Sequence, residues 1–221
     1  MERVPEPLEL MLDAEQARAY GTADLSRING TLLAEFQRHF SAFSGGRVLD
    51  LGCGTADISI RFARAFPEAT VVGIDGSPAM LEVGRGNVSS NNLQAQIELR
   101  LGYLRDAFMQ AGKAHAILAN SLLHHLTEPA DLWHTVHACA LPGAPVMVVE
   151  LIRPVDPEGA HALVEKYAGR AHPRVQEDFF NSLCAAYTVE DVQNQLREVG
   201  LTNIHVEAVS ELQLKAWGIA A

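Results

Sequence analysis

The sequence predicts an α/β protein built on a mostly parallel β-sheet with helices on both faces. Short apolar runs of strand length alternate with longer segments of helical periodicity. The first run, 48–51, stops at a Gly-Cys-Gly turn, and apolar residues with helical spacing follow it. A second run, 70–75, stops just before Ser77-Pro78, a strong helix-start signal. We therefore expect a series of strand, loop and helix units.

Seven strands are predicted, at 48–51, 70–75, 96–101, 114–119, 146–151, 204–209 and 212–219. The last two are separated by Ser210-Glu211 alone and are expected to form an antiparallel hairpin. A helix is expected to start at the N-cap Ser26, and another at Thr188, with Asp191 completing a capping box.

The domain organisation is expected to be a single sheet domain with a small cap. Residues 1–43 are predicted to form an N-terminal helical cap, of which 1–20 read as a flexible start followed by a helix. The sheet domain covers 44–221, with a proline-punctuated helical insertion at about 153–187 after the fifth strand.

Composition narrows the functional classes. The 221 residues are 48% hydrophobic and 20% charged, which describes a globular protein with an ample core, and no long unbroken apolar stretch predicts a membrane span. The net charge of −10 argues against nucleic acid, which usually binds a basic face. Three widely spaced cysteines and a polar, proline-bearing N-terminus favour a reducing cytoplasmic location.

The turn after the first strand has the character of a ligand-binding loop. Gly52 and Gly54 lack side chains where main chain must approach a ligand, and the helix behind them offers free N–H groups. Asp75 follows Gly54 by 21 residues at the end of the second strand, a spacing at which Rossmann-type sites hold a ribose-binding acid. The third glycine of the dinucleotide fingerprint is absent, which argues against an NAD-dependent oxidoreductase.

Two segments resemble motifs I and II of the class I S-adenosylmethionine (SAM) methyltransferases. These are D-x-G-x-G-x-A at 50–56, with Ala56 in place of the usual third glycine, and V-V-G-I-D-G-S-P-A-M-L at 71–81. The resemblance implies a Rossmann-like, mostly parallel seven-stranded sheet with helices on both faces and a C-terminal antiparallel hairpin. It also implies SAM as cofactor, S-adenosylhomocysteine as product, and in-line methyl transfer to a small-molecule acceptor.

The same resemblance assigns a set of cofactor-binding residues. Asp75 would bind the ribose, Met80 the adenine face and Asn120 the amino-acid moiety, while Tyr20 and Arg27 would lie in the lid. The full predicted set is Tyr20, Arg27, Asp50, Gly52, Cys53, Gly54, Asp75, Gly76, Met80, Gly102, Tyr103, Leu104, Asn120 and Ser121. Two positions depart from the family pattern: Tyr103 replaces an acid that contacts adenine, and His115 replaces the acid that opens the fourth strand.

His124 and His125 are the candidate catalytic residues, because histidine titrates in the range that a general base requires at neutral pH. The alternative is that one is a hydrogen-bonded core histidine and the other faces a helix. Some relatives carry E-x-x-E-H here and bind a divalent ion. Only His125 matches that pattern, so no metal is expected.

The insertion is predicted to contribute the acceptor pocket through Asp178, Asn181 and Tyr187. A non-catalytic module that binds SAM or a partner chain is the alternative to an enzyme, motivated by the departures at Tyr103 and His115. The acceptor's identity, the atom methylated and the oligomeric state are left open.

Overall fold

The computed structural model describes residues 1–6, 17–18 and 26–220, with side chains from residue 29 onward in the last range. The predicted roles of Tyr20 and of the Arg27 side chain therefore lie outside the described part. The eight helices of the described residues are α1 Ser26–His39, α2 Asp57–Ala65, α3 Pro78–Ser90, α4 Ala107–Ala111, α5 Ala130–Cys139, α6 Pro157–Ala168, α7 Pro173–Ala185 and α8 Val189–Glu198. Short 3₁₀ turns span Leu104–Asp106 and Leu123–His125.

The sheet has seven strands in the order β3-β2-β1-β4-β5-β7-β6. They are β1 Gly46–Leu51, β2 Ala69–Asp75, β3 Ile97–Leu101, β4 Ala116–Asn120, β5 Pro145–Leu151, β6 Ile204–Ala208 and β7 Gln213–Ile219. β1 to β5 run parallel, and β7 pairs antiparallel with both β5 and β6. The predicted sheet and its closing hairpin are confirmed.

The order of strands fixes where a ligand can bind. β1 is flanked by β2 on one side and by β4 on the other, so the chain reverses its direction of winding between β1 and β4. In open parallel sheets this reversal opens a crevice at the carboxyl ends of the strands. The residues that follow β1, β2 and β4 therefore meet at one edge of the sheet.

Both faces of the sheet are covered. Val48 and Leu49 are fully buried on opposite faces, as strand alternation requires. On one face Phe36 of α1 packs edge-on against Phe62 of α2, with ring centroids 4.9 Å apart. On the other face Trp133 of α5 is fully buried, and its Nε1 donates to Gln195 of α8 at 3.0 Å. Phe36 therefore belongs to the face of α1 that covers the sheet.

Local signals placed most element ends correctly. Ser77 Oγ accepts from the amide of Met80, and Thr188 with Asp191 forms the predicted capping box. The fourth strand was predicted two residues early. Ala114 forms only an isolated bridge with Ala140, and the His115 ring instead accepts a hydrogen bond from the amide of Arg47 at 3.1 Å.

The flexible start expected for the chain is wrong for residues 1–6, which we call the N-terminal strap. The amide of Val4 donates to the carbonyl of Cys184 at the end of α7 (3.0 Å), and Arg3 Nε donates to the carbonyl of Ala185 (2.6 Å). These partners lie about 180 residues away in sequence, so no local pattern indicated them. Among the described residues, no helix is both long and apolar enough to cross a membrane.

Candidate active site

A cavity of about 860 Å³ opens at the carboxyl ends of β1, β2 and β4. Its wall includes most of the predicted site residues, namely Gly52, Cys53, Gly54, Asp75, Gly76, Met80, Gly102, Tyr103, Leu104, Asn120, Ser121, His124, His125, Asp178 and Asn181. The volume falls within the range of pockets that hold cofactors and small molecules. The tertiary fold thus brings together residues that lie as far apart in the chain as Gly52 and Asn181.

The glycine loop forms one wall of this cavity. Gly52 has a φ of +68°, and a Cβ there would lie 2.6 Å from Leu122 Cδ1. A Cβ on Gly54, whose φ is +51°, would lie 3.2 Å from Met80 Cε. Both residues have the left-handed backbone that glycine adopts without steric penalty, and neither position accommodates a Cβ unless its neighbour moves.

Asp75 lies at the end of β2 with both carboxylate oxygens directed to backbone amides. Oδ2 accepts from Gly54 at 2.8 Å and Oδ1 from Ser77 at 2.8 Å. Burial raises the pKa of Asp75, and the two amide hydrogen bonds partly oppose that rise. The remaining lone pairs are free to accept hydrogen bonds from two neighbouring hydroxyl groups.

Asp50 has a different location from the one that the motif suggested. It is buried in β1 outside the cavity wall, and its Oδ2 accepts from Ser59 Oγ of α2 at 2.5 Å. Burial raises its pKa to about 7. Asp50 therefore joins β1 to α2 through this hydrogen bond. Ala56, at the position of the usual third glycine, is also buried, with a φ of +66° that an alanine adopts at some steric cost.

Asn120 is the last residue of β4 and lines the cavity. Its Nδ2 donates weakly to Asn29 Oδ1 of α1 at 3.4 Å, and Asn29 in turn donates to Asp57 Oδ2 at 2.9 Å. Asn120 Oδ1 is buried and has no hydrogen-bond partner among the described residues. A buried acceptor beside a cavity calls for a donor from a ligand, and an ammonium group fits.

Another part of the cavity wall is formed by residues 102–106, which come directly after β3. Gly102 donates its amide to the carbonyl of Asp75 at 3.0 Å, and the 3₁₀ turn Leu104–Asp106 comes directly after Tyr103. Tyr103 lines the cavity but is 59% exposed, so its ring lies at the rim. Leu104 and Asp106 line the same wall and offer an apolar surface and a carboxylate there.

His124 forms a buried pair with Glu150 of β5. His124 Nδ1 lies 2.6 Å from Glu150 Oε1, and both side chains are almost fully buried. Glu150 also accepts from the amides of Leu123 (2.6 Å) and Leu151 (2.7 Å). Burial is the largest single influence and lowers the pKa of His124, but the charge of Glu150, its hydrogen bond and the charge of Glu6 together outweigh burial, so the net pKa is raised. Burial raises the pKa of Glu150, but the charge of His124 and the hydrogen bonds to the carboxylate outweigh burial, so the net pKa of Glu150 is lowered. Opposite shifts on the two partners indicate an ion pair.

His125 forms a second pair, with Glu6 of the N-terminal strap. His125 Nδ1 lies 2.5 Å from Glu6 Oε2, and Ser182 Oγ of α7 donates to Glu6 Oε1 at 2.7 Å. The alternative interpretation, of one hydrogen-bonded core histidine and one helix-facing histidine, stays open: His124 is buried and hydrogen-bonded, although both residues also line the cavity. Ligand atoms of Glu6, His124 and His125 lie within 4.8 Å of one another, a spacing that could hold a metal ion. The two Nδ1 atoms are already bonded to carboxylates, and the expectation of no metal stays a prediction.

The insertion supplies the outer wall through α6 and α7. Asp178 and Asn181 line the cavity, and Asp178 Oδ1 lies 3.7 Å from Arg174 Nε. Tyr187 is buried outside the wall, where the Arg3 guanidinium stacks 4.2 Å above its ring. It therefore anchors the strap and does not contact the cavity.

Glu150, Glu6 and Asn29 also make contacts at the site, and none of them was predicted from the sequence. Glu150 had a usable signal, because an acid within an otherwise apolar strand at 145–151 requires a buried partner. Glu6 and Asn29 had none, since each reaches the cavity only through contacts with distant segments.

The polar and apolar groups that line the cavity fit SAM. Asp75 offers acceptors for the ribose hydroxyls, the unpaired Asn120 Oδ1 an acceptor for the ammonium group, and the glycine loop a surface without side chains. Met80 and Leu104 line the cavity and would provide apolar contacts for adenine. Each of these groups lies at the strand ends where the fold places a ligand.

Comparison with known proteins agrees with this geometry. A family model described as a methyltransferase domain matches residues 48–143. The ubiquinone biosynthesis O-methyltransferase of Acinetobacter baumannii (strain AYE) is 26% identical over 191 residues, which cover 85% of this chain and 78% of that protein. The 27-O-demethylrifamycin SV methyltransferase of Amycolatopsis mediterranei is 25% identical over 181 residues, covering 80% and 62% of the two chains.

Solved structures show the same fold. A SAM-dependent methyltransferase from Aquifex aeolicus superposes with a TM-score of 0.64 at 15% identity, covering 95% of this chain and 99% of that one. The plantazolicin methyltransferase in complex with a monoazolic desmethylPZN analogue and SAH superposes with a TM-score of 0.69 at 14% identity, covering 93% of this chain and 89% of that one. The chain thus has the fold of the class I SAM-dependent methyltransferases together with a cavity that suits their cofactor, and it transfers a methyl group from SAM to a small-molecule acceptor.

Proposed function

We propose that the acceptor atom is a hydroxyl oxygen and that His124 is the general base that removes its proton. The observation that carries this proposal is the buried pair between His124 Nδ1 and Glu150 Oε1 at the cavity wall. Amine and thiol acceptors can react without such a base, whereas a hydroxyl group must lose a proton as it is methylated. Two of the relatives are named for transfer to oxygen, which supports the same assignment.

Glu150 determines which nitrogen of His124 acts. An ionised carboxylate only accepts hydrogen bonds, so Nδ1 of neutral His124 carries the proton and Nε2 has the free lone pair. The amides of Leu123 and Leu151 hold the carboxylate in place. When bound, SAM supplies an electrophilic methyl group on a good leaving group. As the hydroxyl oxygen gains the methyl group, its proton passes to His124 Nε2.

The other residues bind and orient the two ligands. Asp75, Gly52, Gly54 and Asn120 are proposed to hold SAM, and the wall from α7, with Asp178 and Asn181, to hold the acceptor. Carboxylates outnumber arginines around the cavity, so a neutral or cationic acceptor is favoured over a polyanion such as nucleic acid. Three free, buried cysteines support a cytoplasmic location.

The test is product formation with matched acceptors. Purified protein and SAM are incubated with small phenols and alcohols, and separately with the corresponding amines and thiols, and S-adenosylhomocysteine is quantified. We expect turnover with hydroxyl acceptors, and His124→Gln should lower kcat by about 10²- to 10⁴-fold. The exposed His134→Gln on α5 is the control. Turnover confined to amines or thiols, or full activity of His124→Gln, would contradict the proposal.

A further inference from the structure

The N-terminal strap is attached to the active site at several points. Besides the bonds of Val4 and Arg3 to the end of α7, Arg3 Nη2 donates to the carbonyl of His124 at 3.2 Å. The Arg3 guanidinium also stacks on Tyr187. The strap therefore connects the insertion to the 3₁₀ turn that carries both histidines, and it brings Glu6 to the cavity wall.

Both carboxylate oxygens of Glu6 are engaged there. One is bonded to His125 Nδ1 and the other to Ser182 Oγ. By the same reasoning as for Glu150, the carboxylate places the proton of neutral His125 on Nδ1 and leaves the lone pair on Nε2. Glu6 thus gives His125 the same tautomer that Glu150 gives His124.

The two histidines lie side by side. Their ring centroids are 4.0 Å apart, with planes tilted by 39°. Within the described part of the chain, Nδ1 of each ring is bonded to a carboxylate and neither Nε2 has a hydrogen-bond partner. The two histidines therefore have the same tautomer in their neutral forms, and both residues line the cavity. A single methyl transfer releases one proton, so one base is enough.

We propose that the second pair binds a second hydroxyl group of the acceptor: His125, held by Glu6, accepts a hydrogen bond from a hydroxyl adjacent to the one that is methylated. The acceptor class is a compound with two neighbouring hydroxyls, a catechol or a 1,2-diol. This inference rests on the proposed function, in which His124 acts as the base.

The two histidine–glutamate pairs differ in their exposure to solvent, which supports a different role for each. The side chain of His125 is 29% exposed while that of His124 is 2% exposed. The more enclosed pair suits proton removal, and the more open one suits recognition of a neutral hydroxyl. Glu6 acts through His125 and is a positioning residue, and the N-terminal strap is part of the acceptor site.

The experiment compares acceptors that differ by one hydroxyl. Catechol-type acceptors are paired with the corresponding phenols and with their 1,3-dihydroxy isomers, and kcat and KM are measured for each. The wild-type protein should prefer the 1,2-isomer. His125→Gln and Glu6→Ala should lower that preference about tenfold, mainly through KM, because the hydrogen bond to the second hydroxyl is lost. The rate of each variant with the phenols is its own reference, and the readout is the ratio of kcat/KM for the catechol to kcat/KM for the phenol.

Matched variants separate positioning from loss of structure. Glu6→Gln keeps an oxygen that accepts from His125 Nδ1 and should retain more of the preference than Glu6→Ala. Glu2→Ala changes an exposed acid of the same strap and should have no effect. Binding of S-adenosylhomocysteine, measured by thermal shift, should be unchanged in all of them.

The possible failures are distinguishable. If no hydroxyl acceptor is methylated, the proposed function fails and this inference with it. If phenols and catechols are used equally, or if Glu6→Ala slows both by the same factor, only this inference is overturned. If EDTA abolishes activity and a divalent ion restores it, Glu6, His124 and His125 form a metal site and the assignment to a second hydroxyl is wrong.

Discussion

Asp75 Oδ2 lies 2.8 Å from the backbone nitrogen of Gly54, so the end of β2 is joined directly to the loop after β1. This contact fixes the loop in a left-handed backbone and directs the carboxylate toward the cavity at the same time. The residue that is proposed to bind the ribose therefore also shapes the surface beneath it.

Replacing Asp75 should weaken SAM binding strongly. Asp75→Ala removes the acceptors proposed for two ribose hydroxyls, each bond to a charged group being worth about 1.5–3 kcal/mol. We expect the dissociation constant for S-adenosylhomocysteine, measured by calorimetry, to rise by at least about 100-fold. Glu82→Gln, an exposed acid of α3, is the control. Affinity within a few-fold of the wild-type value would remove Asp75 from the binding site.

Gly52→Ala should lower both stability and cofactor affinity. The backbone at φ +68° costs an alanine about 1–2 kcal/mol, and the added methyl would in addition displace Leu122. Chemical denaturation and calorimetry measure the two effects. Gly86→Ala in α3 is the matched control, because a Cβ there meets nothing within 4 Å. It should stabilise the protein by about 0.5–1 kcal/mol. Wild-type stability of Gly52→Ala would show that the loop tolerates a side chain.

The pH dependence of activity should follow His124. The ion pair with Glu150 raises its pKa above the usual value, and the imidazole acts as a base only when unprotonated. kcat/KM should therefore rise with pH and level off above that raised pKa. Glu150→Gln removes the charge and leaves burial, which lowers the pKa of His124, so the inflection should move to lower pH and the plateau should fall. A profile that is flat from about pH 6 to 9 would exclude His124 as the base.

The sequence by itself determined the frame of this protein. Alternating apolar runs, the pairing of Ser77 with Pro78 and the capping residues Thr188 and Asp191 are local signals, and the elements that they predict are present. The spacing of Gly54 and Asp75 indicated two loops that meet at the cavity, because parallel strands bring their carboxyl ends to one edge.

The tertiary structure decided which distant polar groups meet at the cavity wall. Glu6 reaches His125 across 119 positions and Asn29 reaches Asn120 across 91, and such contacts depend on how helices and the strap pack over the sheet. The same packing placed Asp50 and Tyr187 outside the cavity wall, although their positions in the chain suggested contact with a ligand. Local periodicity specifies which face of an element is apolar. It does not specify which distant polar group that element meets.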